Sequence, residues 1–110
     1  NLLAVITNDG WWGNTSGHKQ HLQYAALRAI ETRTWVARSA NTGISAVIDP
    51  LGNIVAQKGW DERAVIKYSI PTKSTLTFYA KHGDWLYQIF SIFAVLLLLQ
   101  GLYKRFKKNP

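Results

Sequence analysis

The 110-residue sequence contains no cysteine, no methionine and only three prolines. Without cysteine this stretch holds no disulfide, no thiolate zinc site and no thiol nucleophile. Without methionine it has no initiator residue, and it opens directly on an apolar run, Leu2-Leu3-Ala4-Val5-Ile6. A sequence that begins inside a strand is expected to be a fragment of a longer protein. Acids are scarce as well, six against thirteen Lys and Arg, and none follows Asp84. No Gly/Pro/Ser-rich tract is present and 47% of the residues are apolar, which excludes a disordered tail or linker. The length suits one modest domain, since soluble domains run to about 100–150 residues.

What is present is a net charge of +7, which would suit a nucleic acid if it were spread over one face. It is concentrated instead. Residues 1–103 carry nine of the Lys and Arg together with all six acids, and Lys104, Arg105, Lys107 and Lys108 supply the remaining excess. Directly before them lies the longest uncharged run, Trp85 to Tyr103. As a helix that run measures about 28 Å, close to the ~30 Å of bilayer hydrocarbon. Trp85 and Tyr87 stand at one end and Tyr103 at the other, as in interfacial aromatic belts. A domain this small has little interior in which to surround a helix that is apolar on every side. Residues 85–103 are therefore predicted to span a membrane. The excess of positive charge places residues 104–110 in the cytoplasm as a basic tail, with residues 1–84 on the far side. No nucleic-acid partner is expected.

In the first 84 residues, Leu2–Thr7 reads as a strand buried on both faces. Leu22, Ala25, Ala26, Ala29 and Ile30 recur at helical spacing, predicting an amphipathic helix from about His18 to Thr32, capped by Thr15 or Ser16. Arg28 and Glu31 stand three apart on it and can pair. Trp35–Ala40 and Ile44–Ile48 read as strands around an Asn41-Thr42-Gly43 turn. Asp49-Pro50-Leu51-Gly52-Asn53 is a hairpin turn leading into Ile54–Gln57. Ala64, Ile66, Tyr68 and Ile70 alternate with Val65, Lys67 and Ser69, predicting a half-buried strand that Pro71 ends. Residues 72–84 form a connector. The class is α/β, with the helix between the first two strands.

The strand-end loop Asn8–Gly17 is the most unusual feature. Trp11 and Trp12, flanked by glycines and preceded by Asn8 and Asp9, offer a broad apolar face suited near a membrane to acyl chains or interfacial anchoring, or else fill core beneath the loop. His18 and His21 are three apart, but a metal needs three or four ligands and only Asp9 is a plausible local third, so ordinary polar roles are expected. A single acid offers no carboxylate pair, and Ser39 and Ser45 lack an arranged His and Asp. Arg38, in a strand, is read as pairing with Glu31 or Asp49 in preference to binding an anion. On these residues alone the chain is a membrane-anchored α/β piece with a Trp-rich loop and no complete catalytic set.

The runs Thr7-Asn8-Asp9-Gly10-Trp11-Trp12-Gly13, Gln20-His21-Leu22, Leu27-Arg28-Ala29-Ile30-Glu31-Thr32, Arg38-Ser39-Ala40-Asn41-Thr42-Gly43-Ile44-Ser45 and Ile48-Asp49-Pro50-Leu51-Gly52, with Gly83-Asp84-Trp85 before the span, resemble the last part of the apolipoprotein N-acyltransferase family of the nitrilase (carbon–nitrogen hydrolase) superfamily. The resemblance implies part of an αββα sandwich on the periplasmic side of a bacterial inner membrane, in a multi-pass protein, followed by one C-terminal transmembrane helix. It implies transfer of an acyl chain from a phospholipid donor to the N-terminal diacylglyceryl-cysteine of a lipoprotein, through a Cys thioester, with a Glu base and an oxyanion-stabilising Lys. All three of those residues would precede this stretch. The resemblance therefore assigns it no catalytic residue, no cofactor and no metal, and makes it inactive alone. The substrate-side residues it suggests are Asn8, Asp9, Trp11, Trp12, Gly13 and His21, with Trp12 standing where many members have Phe. The alternatives are a soluble-type nitrilase or amidase domain, against which the span argues, and a catalytically inactive membrane-tethered binding or assembly module.

Overall fold

The apolar runs and turn signals resolve into β1 (Leu2–Thr7), a 3₁₀ turn (Asp9–Trp12), α1 (Ser16–Thr32), β2 (Trp35–Ala40), β3 (Ser45–Ile48), β4 (Ile54–Lys58), α2 (Phe78–His82) and α3 (Trp85–Lys108). This is a computed structural model that describes residues 1–72 and 75–108; positions 73 and 74 of the connector and 109 and 110 of the tail lie outside the described residues. The chain divides into two units, Asn1–Ala80 and Lys81–Pro110.

The four strands form one mixed α/β sheet in the order β1-β2-β3-β4. β1 runs parallel to β2, with Leu2 opposite Trp35 and Thr7 opposite Ala40. β2–β3 and β3–β4 are antiparallel. A parallel pair needs a crossover, and α1 supplies it. Thr15 caps α1, its Oγ1 accepting from the Gly17 N–H at 3.3 Å. Arg33 ends it in the left-handed region (φ 51°), where its N–H reaches the Ala29 and Ile30 carbonyls. The helix begins two residues before the expected His18, because the cap and not the first apolar residue sets its start.

The α1 stripe Leu22, Ala25, Ala26 and Ala29 lies on Val36 of β2 and on Ala46 and Ile48 of β3, with Leu3, Val5 and Ile44 at the margin. Small alanines bring the helix backbone close to the sheet, and the fully buried Ile48 and Val36 fill the space between. The Asp49–Asn53 turn is held by the Asp49 carboxylate, which accepts from Leu51 N at 2.8 Å, Asn53 N at 2.9 Å and Asn53 Nδ2 at 2.9 Å. The Asn53 side chain and these backbone N–H groups hold the Asp49 carboxyl below its ordinary range. Gly52 adopts φ +87°, and a Cβ there would press on Ile30, so both backbone and space call for glycine.

Two expectations fail. β1 is not buried on both faces: Leu3, Val5 and Thr7 are half-buried on the α1 side, whereas Leu2, Ala4 and Ile6 are exposed, Ile6 at 89%. It is an edge strand among the described residues, and within Asn1–Ala80 its outward face stays exposed. The Ala64–Ile70 alternation forms no strand. A period of two builds a strand only where a sheet edge offers partners. This segment runs instead over the far face of the sheet, where Ala64 and Ile66 share a 330 Å³ cleft with Ala4, Ile6, Ser39 and Val47. Its Tyr68 ring sits 5.8 Å from that of Trp35.

In the second unit, α3 is one continuous helix. Residues 85–107 are long and apolar enough to cross a membrane, and their apolar window is wholly unburied within the chain.

Candidate substrate-side loop

Asp9 leaves the C-terminal end of β1, and Arg38 lies two residues beyond Val36 on the core face of the adjacent strand β2. The parallel register sets Val5 opposite Arg38, so the two charges meet at the C-terminal ends of the strands, where layered α/β proteins usually place function. Both side chains are fully buried, with Arg38 Nη2 2.5 Å from Asp9 Oδ2. The other carboxylate oxygen accepts from Thr7 Oγ1 at 3.1 Å and lies 2.8 Å from His21 Nδ1. Arg38 Nε donates to the Ile44 carbonyl at 3.1 Å. Arg38 therefore pairs with Asp9, 29 positions away in sequence, and not with Glu31 or Asp49. Glu31 pairs on the helix with Arg28 at 2.6 Å, and Asp49 serves its own turn.

Arg38 Nη2 also lies 3.2 Å from His21 Nδ1. A guanidinium only donates, and Nδ1 cannot both accept from it and donate to Asp9. The shorter Asp9 contact decides: Nδ1 carries the proton, and Nε2 points away from the carboxylate. Burial alone would push Asp9 up. The His21 hydrogen bond, the Arg38 hydrogen bond and charge, and the Thr7 hydroxyl together outweigh it and hold the carboxyl below its ordinary range. Asp9 is thus ionised at neutral pH and anchors the loop; it does not exchange protons there.

On this anchor the loop is built residue by residue. Asn8 Oδ1 accepts from Gly10 N at 3.1 Å and opens the 3₁₀ turn. Gly13 closes it at φ +56°, its N–H reaching the Gly10 carbonyl. Thr15 Oγ1 donates to the Trp12 carbonyl at 2.7 Å, joining the turn to α1. Trp12 lies edge-on to His21 with ring centroids 5.1 Å apart and over Gly17, where a Cβ would collide with its ring. Trp12 is 44% exposed and Trp11 88%. Of the suggested residues, Asn8, Asp9, Gly13 and His21 thus shape and hold the loop, Trp12 forms its half-covered shelf, and Trp11 projects from it.

His18 and His21 do not act together. His18 is buried with its ring 4.2 Å from that of Trp60, while His21 joins Asp9. Among the described residues no group of three or more His, Cys, Asp or Glu is placed to hold a metal. The residues that sequence reasoning did not assemble are Thr7, Gly43 and Arg38. Gly43 is required because a Cβ there would overlap the Asp9 carboxylate. A lone arginine in an otherwise apolar strand was the available signal, since such a charge demands a buried acid.

The chain belongs to the carbon–nitrogen hydrolase family, whose family model matches residues 1–78. Within it, the chain is similar to proteins named apolipoprotein N-acyltransferase. It is 45% identical over 98 residues to that of Bradyrhizobium diazoefficiens, covering 89% of this chain and 18% of the relative. To that of Rhodopseudomonas palustris it is 44% identical over 103 residues, covering 94% and 19%, and to that of Rhizobium meliloti 43% over 108 residues, covering 97% and 20%. The chain thus spans about a fifth of the length of these relatives.

Proposed function

We propose that the chain is the C-terminal part of an apolipoprotein N-acyltransferase that moves an acyl chain from a phospholipid to the N-terminal diacylglyceryl-cysteine of a lipoprotein. The observation that carries this reading is the exposed Trp11–Trp12 shelf fixed to a buried Asp9–Arg38 pair at the strand ends, in a chain whose relatives bear that name. The Cys nucleophile, Glu base and oxyanion Lys belong to the part of the protein before Asn1, so residues 1–110 alone are inactive. The nucleophile would attack the donor's ester carbonyl, breaking the acyl C–O bond and releasing the lysophospholipid alcohol to give a thioester. The acceptor's α-amino group would then attack that carbonyl, forming the amide and releasing the thiol. This segment forms the wall along which acyl chains approach. Two indole faces give a wide apolar contact, and the ionised Asp9, neutralised by Arg38, keeps them in place without entering the proton transfers. α3 crosses the inner membrane with residues 104–110 cytoplasmic and residues 1–84 periplasmic.

The test is Trp11→Ala and Trp12→Ala, separately, in the whole protein, reading thermal stability beside thioester formation from phospholipid. Trp11 is nearly fully exposed, so its loss should leave stability close to wild type while slowing thioester formation. Trp12→Ala should lower both. If Trp11→Ala acylates the enzyme at the wild-type rate, and the Trp12→Ala protein that remains folded does so too, the loop is not part of the donor site.

A further inference from the structure

The end of α3 carries a pattern that acyl transfer does not use. The helix runs 24 residues, Trp85–Lys108, which at 1.5 Å per residue is about 36 Å, or about 6 Å more than bilayer hydrocarbon. With Trp85 at one interface, the other falls near residue 105, so the basic cluster emerges while still helical. At about 100° per residue, Lys104, Arg105 and Lys107 fall within one arc of about 160°, and Leu99, Leu102, Tyr103 and Phe106 fall within the opposite arc of about 100°. Tyr103 and Phe106 are 66% and 75% exposed. No Asp or Glu follows Asp84, so α3 carries no counter-ion for its own cluster.

We propose that this basic arc binds the headgroups of anionic phospholipids, with Tyr103 and Phe106 seated at the boundary between acyl chains and headgroups. The proposal rests on α3 spanning the membrane. A phosphodiester oxygen suits the point charges of Lys104 and Lys107 and the planar fork of Arg105. The aromatic arc opposite needs an apolar surround, which a bilayer supplies and a nucleic acid does not. A continuous helix carries both arcs, so they arrive at the interface in fixed register.

The experiment uses the whole protein in phosphatidylcholine vesicles containing tracer spin-labelled phosphatidylglycerol or spin-labelled phosphatidylcholine, reading the fraction of each label immobilised on the protein. Phosphatidylglycerol should be preferred by about fivefold or more at low salt, and the preference should weaken in 1 M salt. It should fall toward unity in K104Q/R105Q/K107Q/K108Q, persist in K104R/R105K/K107R/K108R, and decline part-way in K107Q/K108Q. Protease access to each side of the vesicle reports orientation in every variant. Equal immobilisation of the two lipids by the inserted wild-type protein would overturn the proposal, as would a preference that survives the fourfold Gln variant in its normal orientation. If protease reaches α3 along its length, the spanning reading itself fails and takes this proposal with it.

Discussion

Replacing Asp9 by Ala tests the interaction on which the loop is built. Both members of the Asp9–Arg38 pair are fully buried. Removing the carboxylate strands the guanidinium charge: Nη1 already has no partner among the described residues, Nη2 loses its anionic acceptor and keeps only the neutral His21 Nδ1 at 3.2 Å, and Nε keeps the Ile44 carbonyl. Breaking such a buried pair costs about 3–5 kcal/mol, mostly from the charge left behind. Arg38→Met on top of Asp9→Ala should recover part of the loss, because no uncompensated charge then remains. The assay is denaturant unfolding of the whole protein in detergent at neutral pH for wild type, Asp9→Ala, Arg38→Met and the double variant. The double variant should be more stable than Asp9→Ala alone, with a coupling above about 1 kcal/mol in the cycle. A cost below about 1 kcal/mol for Asp9→Ala, or single effects that simply add, would refute the account.

Stability should also depend on pH through this carboxyl. Asp9 is held below its ordinary value of 3.8, so its contribution is complete above that value and is lost as pH falls through the lower folded one; acid titration of unfolding should show a flatter dependence in Asp9→Asn. Gly43→Ala places a Cβ against the Asp9 carboxylate, and should lower the melting temperature and alter Trp12 fluorescence, whereas Gly13→Ala, with open space around it, should suffer backbone strain alone. Glu31→Gln removes an exposed pair with Arg28, 68% exposed, and should change stability by no more than about 0.5 kcal/mol; a larger loss would mean the pair is buried by other parts of the protein. A reporter fused after Pro110 should be cytoplasmic, and one placed after Lys81 periplasmic; export of the first would reverse the topology.

The local elements were largely legible. The spacing of Leu22, Ala25, Ala26 and Ala29 announces α1 because helix burial repeats along one stripe, and Asp49-Pro50-Leu51-Gly52 announces a turn because each residue has a local job there. What escaped depended on partners far away in sequence. Leu2–Thr7 is apolar enough for burial on both faces, yet whether a face is covered depends on what packs over it. The alternation at Ala64–Ile70 is real, but a strand also needs an edge to pair with. The Asn8–Gly17 loop and its two Trp stood out as unusual, and His21 was placed beside it. The clamp that makes the loop rigid was hidden, because Arg38 reaches Asp9 only through the parallel register of β1 on β2.

That register also sets the order in which the sheet can close. Val36 meets Ile48 and Ala46 meets Gln57 across short turns, so β2, β3 and β4 can zip together as local hairpins. Leu2 meets Trp35 only after the intervening chain has coiled into α1. Closing the longer span costs more chain entropy before any contact repays it, so β1 joins late. Asp9 rides on β1, so the loop is among the last parts to assemble. Substitutions in the β3–β4 hairpin should slow folding, while those at Asp9 should mainly hasten unfolding. Within Asn1–Ala80, the loop proposed to meet the lipid therefore sits on the strand that parts most readily from β2, β3 and β4.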